Sequence, residues 1–243
     1  MIRNKQNGNF QSRLYGVWAV AVCMALAWAG PVSAQNMAGD LLAGNLVDPR
    51  VGQWAWYDLL DDDGEVQFII RQAIVDRERI GRETAYWLEF EIIPAVGFRT
   101  VYAVLLTGPA SDPRNIHRIR MKFGADDVEE VPVDADVLAP ETRRPHRESK
   151  GVEDVLTGSG FIRAERLEIS EPDRTLHVWV NNRVLPTGVV RMETEDGEMV
   201  LRSFGVGGRY AESALEREEE EIIPPEPGET DVPDTAPGEE EEG

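Results

Sequence analysis

Chemistry in this chain would have to come from acids or histidines. Its one cysteine, Cys23, lies in an apolar run near the N-terminus and is removed if that run is cleaved. The three histidines, His117, His146 and His177, stand too far apart for a zinc motif, and none is paired with an acid at ligand spacing. Thr157-Gly158-Ser159-Gly160 is glycine-rich, but no lysine follows it and no helix is expected after it, so it does not read as a phosphate loop. Asp61-Asp62-Asp63-Gly64 invites calcium; three consecutive acids point in different directions, however, and the sequence reads as a solvated hairpin turn. Paired carboxylates for glycoside chemistry remain as an alternative, because their spacing is spatial and not sequential. The expectation is a non-enzymatic protein with no cofactor and no metal.

The aromatic residues carry more information. They fall almost entirely on segments with strand character, and few helices are visible to cover a second sheet face. The central stretch is Glu83 to Ile93, ETAYWLEFEII, which puts Tyr86, Leu88, Phe90 and Ile92 on one side and Trp87, Glu89 and Glu91 on the other. A period of two with this polarity predicts a half-buried antiparallel strand. Its apolar face is closed by the protein's own side chains or left open to an apolar ligand. The candidate contacts there are Tyr86, Leu88 and Phe90 with Trp56, Phe68, Tyr102, Met121 and Trp179 from other strands.

Turn signals set the elements that position these residues. Strands are expected at Gly52 to Leu60, Val66 to Asp76, Glu83 to Ile93, Arg99 to Leu106 (buried on both faces) and Ile116 to Phe123. In the last of these Ile119, Met121 and Phe123 point inward, and Arg118, Arg120 and Lys122 outward. Residues 124–150 lack an apolar period and hold Arg143, Arg144, His146 and Arg147, which reads as a lid or interaction loop with a short helix near Asp134 to Leu138. The sheet resumes at Gly160 to Ser170, Thr175 to Val180 and Val189 to Glu195. Asp196-Gly197 then makes a two-residue hairpin pairing Met192 with Leu201, Thr194 with Met199 and Arg191 with Arg202. The predicted fold is mostly β: one twisted antiparallel sheet of about nine strands, curled into an unclosed barrel with a loop or short-helix lid.

Both ends differ from the middle. Residues 1–34 combine Arg3, Lys5 and Arg13 with an apolar run and Val32-Ser33-Ala34, the pattern of a cleaved signal peptide, with 35–50 as a lead-in to the domain at 51–215. Residues 216–243 hold 13 acids against Arg217 alone, with five prolines, and read as a disordered acidic tail. A formal charge of −20 excludes nucleic acid as a partner. The expected location is the periplasm, without a membrane span in the mature chain.

Gly52-Gln53-Trp54-Ala55-Trp56-Tyr57, the following hairpin, and Ile80-Gly81 to Tyr86-Trp87-Leu88-Glu89 resemble exported bacterial proteins of the outer-membrane lipoprotein-sorting (LolA/LolB-like) group. Val178-Trp179-Val180 through Pro186-Thr187-Gly188 to Leu201 and Phe204-Gly205 fits the same picture, so the resemblance covers roughly residues 50–210. It implies an unclosed β-barrel that shelters an acyl chain or a lipoprotein. The long acidic tail departs from that pattern. The leading expectation is therefore a carrier or sensor of a lipid or lipidated partner, and the alternative is a cell-envelope interaction module with a self-filled core.

Overall fold

A computed structural model describes residues 46–110, 112–131, 133, 146–170, 175–195, 197–217 and 224–227. Eleven strands follow in chain order: β1 Gln53–Leu60, β2 Val66–Ile80, β3 Glu83–Pro94, β4 Thr100–Leu106, β5 Ile116–Phe123, β6 Glu129–Val131, β7 His146–Thr157, β8 Gly160–Ser170, β9 Thr175–Val180, β10 Val189–Thr194 and β11 Gly197–Val206. They form one antiparallel sheet in the order β6-β5-β4-β3-β2-β1-β11-β10-β9-β8-β7. Two meanders, β1–β6 and β7–β11, are thus joined at the centre by β1 and β11. The expected open antiparallel sheet is present, with eleven strands in place of about nine.

Strand register sorts side chains into rows across the sheet. One row runs Ser203, Trp56, Arg71, Glu91, Val101, Lys122, and the next runs Gly205, Trp54, Ala73, Glu89, Ala103, Arg120. Between them, on the opposite face, lies Phe204, Ala55, Gln72, Phe90, Tyr102, Met121. The second face is the inner one. Its Tyr57, Phe68, Ile70, Leu88 and Phe90 join Leu176, Val178, Met192, Met199 and Leu201 from the other meander in a single buried cluster. Burial at about 25 cal/mol per Å² of apolar surface makes this packing the main driving force for curling the sheet.

Three expectations change. β3 is not half-buried: Ala85, Trp87, Glu89 and Glu91 are buried along with Leu88 and Phe90, because the chain's C-terminal segment covers the outer face. The 124–150 stretch is not simply a loop, since it supplies β6 and the start of β7. Strand β7, HRESKGVEDVLT, is mostly exposed and lacks alternation; its backbone pairs with β8, and only its end is buried, at Val155 and Thr157. The Asp134 to Leu138 helix, Arg143 and Arg144, the signal peptide and most of the acidic tail lie outside the described residues.

The β10–β11 register also differs: Met192 faces Met199, Arg191 faces Val200 and Thr194 faces Gly197. Gly197 is spent in the strand and not in the turn. It takes φ +150, and a Cβ there would sit 2.6 Å from the Leu60 carbonyl oxygen, so only glycine lets β11 run this close to β1. Arg202, freed from Arg191, instead pairs with Asp58 at 2.7 Å.

The tip of the β7–β8 hairpin bends back onto the sheet. The Gly158 amide donates to the Leu201 carbonyl at 2.9 Å, and Ser159 Oγ donates to the Arg202 carbonyl at 3.1 Å. Here Thr157-Gly158-Ser159-Gly160 is a hairpin turn, with Thr157 Oγ1 donating to the Gly160 carbonyl. A Cβ at Gly158 would lie 2.5 Å from the Arg202 oxygen. Gly158→Ala is therefore expected to lower unfolding free energy by about 1–3 kcal/mol in urea titration, the cost of overpacking against backbone; an unchanged midpoint would mean that the tip is not docked.

Candidate functional site

The structure divides the predicted ligand contacts. Phe68, Leu88 and Phe90 are buried in the inner cluster, and Tyr86 packs against it. Tyr102 and Met121 continue the Phe90 row toward the sheet edge and are only half-buried. Burial pushes the Tyr102 hydroxyl up to about 12. Trp56 lies on the outer face, because it alternates with Ala55 and Tyr57; its ring packs edge-on against Tyr210 at 5.6 Å. Trp179 alternates with Leu176 and Val178 along β9 but is still buried as part of the inner cluster, its ring between the guanidinium groups of Arg166 and Arg191 at 5.2 and 5.0 Å and its indole N–H donating to Glu153. The eight residues therefore do not share one face. Arg147, expected in a loop, is on β7 opposite Ile169.

The outer face holds the most specific chemistry. Arg71, Glu89 and Glu91 have side chains at 0% exposure. The Arg71 guanidinium donates to Glu89 and, through Nε at 2.9 Å, to Glu91. Its Nη1 donates to the carbonyls of Tyr210 at 2.5 Å and Glu212 at 3.0 Å. Glu89 also accepts from Ser213 Oγ at 2.6 Å and from the Ala214 amide at 2.7 Å. Residues 209–217 thus form a strap, opened by the 3-10 turn Arg209–Ala211, whose Tyr210 ring rests on Trp54 and Trp56. Farther along the chain, Arg202 Nη1 donates to the Pro225 carbonyl at 3.1 Å.

Beside the strap lies a cleft of about 460 Å³ with Trp87, Ala103 and Val75 among its lining, together with Arg120, Glu78, Glu212 and Leu215. Trp87 is stacked by Arg120 at 4.5 Å and Arg118 at 5.1 Å, and its N–H donates to Glu78 at 2.8 Å. That hydrogen bond, with help from Arg118, holds the Glu78 carboxyl below the usual range. A second cleft of about 410 Å³ is lined by Asp61, Asp62, His177, Glu193 and Glu198. Asp61 is committed to the β1–β2 turn, accepting from the Asp63 and Glu65 amides and from Gln67, chiefly the Glu65 bond, so its carboxyl also titrates low. His117 Nε2 is 2.9 Å from Thr107 Oγ1. Among the described residues, no three His, Cys, Asp or Glu side chains converge as metal ligands, and no helix is long and apolar enough to cross a membrane.

No sequence signal marked the ionic cluster. Arg71 sits within an apolar strand, and its two acids read as solvent-facing until the strap is known.

No family model matches the chain, and no curated protein matches it. Among solved structures it is similar to a Bacteroides fragilis protein described as exported, with a YmcC-like fold, at 14% identity and a TM-score of 0.35. It is also similar to a Parabacteroides distasonis protein described as a lipoprotein, at 11% identity and 0.36. Each likeness covers 66% of this chain and 99% of the other. Superpositions this loose transfer no function.

Replacing Arg71 by Met leaves two carboxylates buried without their main partner. The expected cost is about 3–5 kcal/mol, read from chemical denaturation; a loss under about 1 kcal/mol would show that the cluster is dispensable to the fold.

Proposed function

We propose that this chain is an exported, non-enzymatic interaction protein of the cell envelope. The observation that carries the reading is the inner cluster: both meanders fill the concave side with their own side chains, and apolar groups reach solvent mainly at protruding ends. Val96 and Phe98 stand at the β3–β4 turn, with Phe98 70% exposed and 5.8 Å from Phe123. Leu156 and Phe161 face each other across the β7–β8 hairpin, with Phe161 75% exposed. Protruding apolar side chains on a strongly acidic surface suit insertion into a complementary pocket of another protein.

The carrier reading is favoured by a different observation. Toward β6 the inner face thins, leaving Tyr102, Ile119 and Met121 half-buried, which would suit an acyl chain laid along the rim, each buried methylene contributing about 0.8 kcal/mol. The lipoprotein-sorting resemblance belongs with this second reading.

Site-specific photo-crosslinking in cells, combined with native mass spectrometry, separates the two. The interaction reading predicts protein adducts from positions 98 and 161, no co-purifying lipid, and loss of the adduct partner in Phe161→Ser at a stability change under about 1 kcal/mol. Stoichiometric lipid, with adducts from positions 102 and 121 only, would replace it with the carrier.

A further inference from the structure

Strand β11 carries a bulge where it meets β1. Trp56 faces Ser203 and Tyr57 faces Leu201, so Arg202 is an extra residue between two ladder pairs. A bulge of this kind takes backbone groups out of the ladder and re-aims a side chain. On the other side of β11, the ladder with β10 has already ended at Arg191 opposite Val200. Arg202 serves three neighbours as a result. Its carbonyl accepts from Ser159 Oγ at the β7–β8 tip, its Nε donates to Asp58 at 2.7 Å, and its Nη1 donates to the Pro225 carbonyl at 3.1 Å. The Arg202 side chain is 17% exposed and that of Asp58 20%, so the ion pair holds the guanidinium in place before anything docks on it.

Pro225 belongs to the run Pro224-Pro225-Glu226-Pro227. Pro225 is buried and Pro224 half-buried, while Glu226 and Pro227 are exposed. The strap is held much more firmly: Tyr210 and Ala214 are buried, and both Arg71 and Glu89 bond to it from the sheet. A four-residue run seated through one buried ring is a light latch by comparison, able to open while the sheet stays folded. Proline suits such a seat. Its fixed φ lowers the cost of ordering the segment, and it brings no N–H that would need a partner.

We propose that the Arg202 bulge is a docking site for a proline-rich segment, occupied in cis by residues 224–227 and able to take the same kind of segment from another chain in their place. The site goes beyond the interaction reading above and uses neither Phe98 nor Phe161, so each can fail without the other. Tethered a few residues beyond the strap, the latch competes at an effective concentration of about millimolar, which closes the site to a dilute outside peptide. Weakening the latch opens it.

The test titrates a fluorescein-labelled peptide of residues 222–228, IIPPEPG, against the full chain and follows fluorescence anisotropy. The wild-type chain, with its own latch in place, should bind it weakly. Pro225→Gly removes the buried ring and the fixed φ from a residue outside the strands; it should bind the peptide about tenfold more tightly, with the urea midpoint unchanged. Adding Arg202→Gln to Pro225→Gly should take away about tenfold in affinity, the worth of one hydrogen bond from a charged donor. A probe with glycine in place of its second proline should bind no variant, and this comparison stands even if Arg202→Gln disturbs the sheet. Equal binding by the wild type and Pro225→Gly, or equal binding of the two probes, would overturn the site.

Discussion

Arg71 is a guanidinium group with no access to solvent, and the outer half of the molecule depends on it. A buried arginine is tolerable only when its donors are met, and here they are met by Glu89, Glu91 and two carbonyls of the strap. Because the acids come from β3 and the carbonyls from residues 209–217, one side chain ties the strap to the sheet. The acids complete the tie, since Glu89 in turn accepts from Ser213 and Ala214. Breaking any one member leaves another charge buried, which makes the closure cooperative.

That closure explains why β3 and its neighbours can be buried on both faces with no α-helix among the described residues. The inner face folds onto itself through two meanders sharing β1 and β11. The outer face of β1–β4 is covered by a strap that brings little apolar surface beyond Tyr210, Ala214 and Leu215, so ionic and hydrogen-bonding groups do part of the work. A self-filled interior moves the search for function outward, to the apolar ends and the rim at Tyr102 and Met121.

Much of the fold was legible because period-two alternation is a local signal. Tyr86, Leu88, Phe90 and Ile92 do share the inner face, and Ile119 and Met121 do oppose Arg118, Arg120 and Lys122. The other face of β3 was not legible, because Glu89 and Glu91 are buried by a partner 18 and 20 residues away and by a strap more than a hundred residues on. Strand β7 was missed for the opposite reason: it buries so little that no apolar pattern is required of it. At β10–β11 the Asp-Gly signal was outweighed by the close approach of Gly197 to Leu60, and the register moved with it. Trp56 was grouped with the inner residues by type, although alternation with its own neighbours puts it on the outer face; Trp179 alternates likewise, yet it is buried as part of the inner cluster.

The central claim is that the strap is part of the folded core, held by the Arg71 cluster. Amide hydrogen exchange at Ala214, whose N–H donates to buried Glu89 at 2.7 Å, measures this directly. The account predicts protection comparable to that of Leu88 and Phe90 in β3, lost only on global unfolding. Exchange at Ala214 near the free-peptide rate, with β3 still protected, would contradict it.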